Sequence, residues 1–141
     1  NFGGTEIDEA RGIVKSDEGN YIIVGDTRSS DEDVTNQNGG ADVWVIKIND
    51  VGSLIWQKNF GGSGFDVARS ISKTKDNQFI IAGSSRSSDR DVDKNEGQID
   101  FAYDAVEVTN GNVVAVGESS SKNADIIENK GFTDLVIVNI K

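Results

Sequence analysis

The sequence predicts an all-β fold in which one strand-rich unit is repeated along the chain. Three observations carry that reading. Residues 1–42 overlay on residues 59–100 with 20 identities in 42 positions, a period of 58, and self-similarity at one fixed spacing marks a repeat architecture. Short β-branched and aromatic runs alternate with clusters of Gly, Asn, Asp and Ser, the pattern of strands and turns. No stretch of useful length places apolar residues at helical spacing.

Within the first unit, "ARGIVKS" (10–16) and "NYIIVGDT" (20–27) read as strands joined by "DEGN", a turn with Gly19 where positive φ is needed. "DVWVIKIND" (42–50) alternates Val43, Val45 and Lys47 against Trp44, Ile46 and Ile48, as a strand with two distinct faces does. The turn "DVG" then leads into a fourth strand, "SLIWQKNF" (53–60). "DEARGIV" could open a helix, but its second copy "DVARSISK" is β-branched and Ser-rich, so a strand is expected there. Four antiparallel strands in tandem repeat are the sequence image of a β-propeller blade. A β-solenoid is the competing architecture, with rungs usually shorter than this period.

A third copy follows. "NGNVVAVGESS" (110–120) matches "GNYIIVGDTRS", and "TDLVIVNIK" matches "ADVWVIKIN". Gly25, Gly83 and Gly117 each precede an aspartate, Asp42, Asp100 and Asp134, by 17 residues. Gly83 to Gly117, however, is only 34 residues, 24 short of the period. The expected organisation is therefore a unit over 1–58, a truncated unit over 59–102 and a partial unit over 103–141, an incomplete ring of about 2.5 blades. Losing two strands from a blade would expose sheet edges, so a gap in the sequence of about 24 residues near 100–103 is expected.

Composition bounds the chemistry. The net charge of −10 and pI near 4.3 make nucleic acid and anionic membranes poor partners. No apolar run approaches the length of a membrane span. The chain opens on Asn1 in mid-repeat, without a signal peptide, and is expected to be a piece of something longer. His, Cys and Met are absent, which excludes disulfides, Ser-His-Asp triads, thiolate nucleophiles and zinc or haem ligation through those residues.

"DVWVIKINDVGSLIWQKNFGGSGFDVARSISKTKDNQFIIAGSSRSS" resembles the bacterial β-propeller repeats called SBBP repeats. It is closest to the Bacteroidota-type variant, which carries an Asp-rich inserted loop "SSDxDV…G…D". The resemblance covers essentially the whole chain and implies propeller blades in a large secreted or cell-surface protein, often exported by the type IX route. The chain departs from the pattern in having no Pro and in the break near Asp100.

The inserted loop is the one constellation with potential chemistry. Its residues are Asp31, Asp33, Asn36, Asn38 and Asp42 in copy one, and Asp89, Asp91, Asp93, Glu96 and Asp100 in copy two. Copy three carries Asn123, Asp125, Glu128 and Asp134. Two readings stay open: oxygen ligands for Ca²⁺, or Asx-turns that order the loop without metal. The spacing is not that of an EF-hand, and Asp42, Asp100 and Asp134 stand just before strands, where a structural role fits. "NFGG" and "FGGSGFD" lack the Lys-Ser/Thr of a phosphate loop and are expected to be turns between units. Trp44 and Trp56 are expected in the core rather than on a sugar platform. Asp8 with Arg11, and Asp66 with Arg69, read either as ion pairs between neighbouring units or as part of a polar ligand site.

Three function classes remain: a non-catalytic scaffold or adhesion module, a glycan- or protein-binding propeller, and a carboxylate-based glycoside hydrolase. Repetition argues against the hydrolase, because an active site needs one asymmetric constellation and here each acidic position recurs. No catalytic residue and no cofactor beyond Ca²⁺ is assigned. The expected partners are the remaining units of the same protein or further copies of the chain.

Overall fold

The computed structural model describes residues 1–16, 19–92, 100–108, 111–119 and 134–140, with backbone alone at 100, 119 and 134–140. These residues form nine strands: β1 (Asp8–Lys15), β2 (Tyr21–Thr27), β3 (Asp42–Ile48), β4 (Leu54–Phe60), β5 (Asp66–Lys73), β6 (Phe79–Ser85), β7 (Asp100–Glu107), β8 (Val113–Ser119) and β9 (Asp134–Ile140). All pair antiparallel into three sheets, ordered β1-β2-β3-β4, β5-β6 and β7-β8-β9. The fold is all-β, and the described sheets do not close on themselves.

Local sequence explains most of these boundaries. The turn between the first two strands of each sheet carries Gly19 (φ +78°), Asn77 (φ +66°) and Gly111 (φ +77°) at one repeat position. Glycine adopts this left-handed conformation freely, and asparagine tolerates it best among residues with a side chain. The first strand of each sheet has a bulge at one place, where Arg11, Arg69 and Tyr103 are skipped in the pairing. On either side of it, Ala10, Ala68 and Ala102 face Gly25, Gly83 and Gly117. A bulge increases twist and re-aims its side chain, which matters below.

The first sheet carries a hydrophobic cluster on each face, centred on β2 and β3. One face carries Ile22, Val24 and Val45, with Val14, Val43 and Trp56 around them, against Ala68, Ile71 and Phe79 of the second sheet. The other carries Trp44 and Ile46, with Ile23, Ile48 and Leu54, beneath Val34 of the long loop and Phe2. Both tryptophans therefore pack in cores. The Trp44 indole N–H donates to Gln57 Oε1 at 3.0 Å, so its polar edge is satisfied.

The second sheet meets the first along a loop-to-turn seam. Asp66 N–H donates to Ala41 O at 2.8 Å and Gly40 N–H to Gly64 O at 2.7 Å. A Cβ on Gly40 would lie 2.6 Å from the Phe65 ring, so a larger residue there would have to push the ring aside. The second and third sheets are joined by Ser70 Oγ donating to Asp104 Oδ1 (2.7 Å) and Ser72 Oγ donating to Ala105 O (2.7 Å).

Asp100 takes a different place from the one its spacing suggested. It was expected to open a strand equivalent to 42–50, with a unit boundary after residue 102. Instead Asp100–Glu107 is one continuous strand and the first of its sheet, so Asp100 answers to Asp8 and Asp66. The reason is arithmetic: Asp100 lies 58 residues after Asp42 and 34 after Asp66, and both alignments put an aspartate there. Only the pairing, with its bulge at Tyr103 and Ala102 opposite Gly117, decides between them.

Trp44 anchors the outer core of the first sheet, so Trp44→Ala is expected to destabilise the chain by about 3–5 kcal/mol. The loss should appear as a lower urea midpoint. Tyr103→Ala, at an exposed bulge residue, is expected to lower that midpoint far less.

Candidate functional site

Four consecutive backbone N–H groups of the NFGG turn each point at a side-chain oxygen. Gly3 N–H donates to Asp33 Oδ2 (3.2 Å), Gly4 N–H to Asp8 Oδ2 (2.8 Å), Thr5 N–H to Asp31 Oδ1 (2.9 Å) and Glu6 N–H to Ser29 Oγ (3.0 Å). The second copy repeats the set: Gly61 to Asp91 (3.4 Å), Gly62 to Asp66 (2.9 Å), Ser63 to Asp89 (2.8 Å) and Gly64 to Ser87 (2.8 Å). Successive N–H groups of this kind make a concavity that favours anions, and here the chain fills it with its own carboxylates.

The aspartates at the head of β1 and β5 tie the set together. Asp8 also accepts from Ser29 Oγ (2.9 Å) and Thr27 Oγ1, and Asp66 from Ser87 Oγ (2.7 Å) and Ser85 Oγ. An ionised carboxylate is acceptor-only and can take several donors at once. Asp66, only 2% exposed, thus has three donors around its charge. Asp31 takes both the N–H and the hydroxyl of Thr5 (2.9 and 2.8 Å), and those bonds hold its carboxyl below the usual carboxylate range. Gly4 and Gly62 are required by contact, because a Cβ there would sit 2.2 Å from Asp31 Oδ1 and 2.1 Å from Asp89 Oδ1.

The residues singled out by sequence are thus divided. Asp31, Asp33, Asp89 and Asp91 do converge, in pairs, on the turn, but each faces a backbone donor. Among the described residues, no three carboxylates are arranged to hold a metal ion. Asp100 and Asp134 open β7 and β9. Asp93, Glu96, Asn123, Asp125 and Glu128 lie outside the described residues. Asp8 and Asp66 were singled out beside Arg11 and Arg69, and Ser29 and Ser87 were visible only as repeat identities; the turn-capturing role of all four needed the fold. The hydroxyl at 27 and 85, kept as Thr then Ser, was the available signal.

Asp8 and Arg11 do not pair with each other. The bulge turns Arg11 toward β2, where its Nε donates to buried Asp26 at 2.8 Å and its Nη2 meets Glu9. In the second copy Ser84 stands where Asp26 does, so Arg69 has no such carboxylate. Its guanidinium lies 5.2 Å from the ring centres of both Phe101 and Tyr103 on β7, a cation–π contact between sheets.

Asp42 is fully buried at the seam. Its Oδ2 accepts from Asn38 N–H at 2.6 Å, while Oδ1 has no hydrogen-bond partner. Burial raises its pKa, the Asn38 bond opposes that, and the charge of Asp66 adds to the rise. The described part of the site is a set of turns locked by acids.

No protein-family model matches the chain, and no curated protein matches it.

Burial decides which acid matters. Asp66→Asn leaves at least one buried donor without an acceptor and is expected to cost about 1.5–3 kcal/mol. Asp31→Asn, on the exposed side, is expected to lower the midpoint less. Denaturant melts of the two variants check the order, and a larger loss for Asp31→Asn would overturn it.

The two shifted aspartates oppose each other in pH. Asp31, with a lowered folded pKa, stabilises above its unfolded pKa, and that stability is lost as pH falls through the folded value. Asp42, with a raised folded pKa, favours the fold at low pH and loses that contribution as pH rises through its folded pKa. Asp42→Asn is therefore expected to gain stability near neutral pH and to lose that advantage toward pH 4. Melts across that range read it directly.

Proposed function

We propose that the chain is a non-catalytic β-propeller repeat module of a larger exported protein, acting outside the cell or at its surface as a scaffold, adhesion or interaction element. The observation that supports this is the repeated capture of backbone N–H groups by Asp33, Asp8, Asp31 and Ser29, and by Asp91, Asp66, Asp89 and Ser87. A glycoside hydrolase needs two carboxylates roughly 5–9.5 Å apart that are free to face a sugar. The recurrent acids here are occupied by their own turns. Three sheets in tandem, packed through their first strands and seams, fit blades arranged side by side. Partners on this reading are further units of the same protein or other copies, with protein or glycan ligands at the exposed loops, and neither nucleic acid nor membrane insertion is involved.

A second reading is a glycan- or protein-binding propeller whose loops are stabilised by Ca²⁺. It is favoured by the exposure of Asp31, Asp89 and Asp91 around the turn.

Melting in EDTA and in millimolar Ca²⁺ separates the two. The scaffold reading expects one unchanged midpoint and no cleavage in a screen of aryl glycosides. A Ca²⁺ site would stabilise by about 2.7 kcal/mol at a hundredfold excess over Kd, and Asp31→Asn with Asp33→Asn would remove that gain. Specific hits on a glycan array would carry the second reading, and turnover of any glycoside would overturn both.

A further inference from the structure

The contact between successive sheets has matching halves that stay exposed on the first and third sheets. Ala10, Ala68 and Ala102 hold one repeat position on the first strands, and Ile13, Ile71 and Ala105 hold another, as their common pairing register shows. These residues form the leading face of each sheet. On the second sheet Ala68 is fully buried and packs with Ile71 into the core of the first. On the third, Ala105 is buried and its carbonyl accepts from Ser72 of the second. On the first sheet the β1 side of this face is exposed, with Ala10 open and Ile13 61% exposed. The trailing face shows the reverse. Val24 and Ala82 are buried on the first and second sheets, each of which meets the next sheet. Their counterpart Val116 is 37% exposed, and Val106, the counterpart of Val14, is 46% exposed.

We propose that a second copy of this chain docks head to tail, the trailing face of its third sheet on the leading face of the first sheet. The occupant is specified by the junction the chain already makes between its first two sheets. There a Cβ on Gly12 would lie 3.3 Å from Ile71 Cγ2, so Ile71 seats in a hollow beside Val14 and Val24. Transferred to the new contact, Ile13 of one copy seats beside Val106 and Val116 of the other. Asp104 takes the place of Gly12 there. Its carboxylate is bound by Ser70 Oγ (2.7 Å) and by the Ala105 N–H (3.0 Å), and the two valines stay exposed beside it. The bulge residues match as well. Arg69 of the second sheet lies against Phe101 and Tyr103 of the third. Head to tail, the exposed Tyr103 comes to the exposed Arg11, again an aromatic ring against a guanidinium. Two different faces in contact make a heterologous junction, which repeats from copy to copy. Removal of apolar surface from water drives it, and the net charge of −10 opposes it until salt screens the repulsion. The inference rests on the module reading through its repeat packing alone, and neither ring closure nor an extracellular role enters it.

Sedimentation of the full chain over a range of concentrations tests the junction. Mass above the monomer is expected, rising with concentration and with added NaCl. Ile13→Asp and Val106→Asp, both at exposed positions, are each expected to weaken association at least about tenfold. Their urea midpoints should match the parent. Val51→Asp, at an exposed position off both faces, should leave association unchanged. Because the two faces differ, a mixture of Ile13→Asp and Val106→Asp chains keeps one intact junction and is expected to give a dimer and nothing larger. A parent chain that stays monomeric at millimolar concentration, or folded variants that fail to pair when mixed, overturns the proposal. Association that survives both substitutions assigns the contact to other surfaces and overturns it too. Loss with Ile13→Asp but not with Val106→Asp marks two first sheets face to face and does the same. A monomer leaves the module reading standing, whereas turnover of a glycoside overturns that reading and leaves the junction untouched.

Discussion

The interaction on which the rest depends is the capture of the NFGG turn's N–H groups by side-chain oxygens. A turn of this kind exposes several donors in a row, and each would cost free energy if buried without an acceptor. Asp8 and Asp66 solve this at the head of a first strand, binding the preceding turn and the hydroxyls at the end of the second strand together. Asp31 and Asp33, with Asp89 and Asp91, bring the long loop to the same place. One cluster thereby positions a strand start, a strand end and a loop. The carboxylates of this cluster are met by backbone and hydroxyl dipoles.

That anchoring has a packing consequence. With the loop pinned, Val34 is delivered onto Trp44 and Ile46, and the first sheet gains a hydrophobic cluster on its second face. The loop's far end, at Gly39–Asp42, is delivered against the next turn, where Ala41 bonds with Asp66. The polar cluster and the two hydrophobic clusters are consequently one construction. The second copy repeats the turn cluster in full, with Asp91, Asp66, Asp89 and Ser87 in the places of Asp33, Asp8, Asp31 and Ser29. In both described copies the polar anchoring links a turn to residues 21–30 positions further on.

Asp42 is the point where the construction carries a cost. It is fully buried, with one oxygen unpartnered and the charge of Asp66 nearby. A buried carboxylate at a contact between sheets makes that contact sensitive to protonation. The two copies also differ in how they treat the bulged arginine. Arg11 is held within its sheet by Asp26, and Arg69 reaches across to Phe101 and Tyr103. Replacing one acid by Ser84 turns an internal ion pair into a link between neighbours.

What the sequence determined alone is what depends on short-range period and turn chemistry. The alternation along 42–48, the positive-φ turn at Gly19 and its counterparts, and the burial of both tryptophans follow from residues a few positions apart. The pairing of β1 with β2 and of β3 with β4 follows from the short turns that join them. The tertiary structure decided whatever spans a loop. Asp31 and Asp33 show the alternating acids of a metal loop or of an Asx-turn, and sequence spacing is the same for both. Their donors at Thr5 and Gly3 lie 26 and 30 residues away, so only the folded turn discriminates. The bulge, which separates Asp8 from Arg11, leaves no periodic trace. Asp100 fits two repeat positions equally as a letter, and its hydrogen-bonded register opposite β8 made it a first strand. Composition and period state which residues can pair; chain geometry over twenty or more residues selects which of them do.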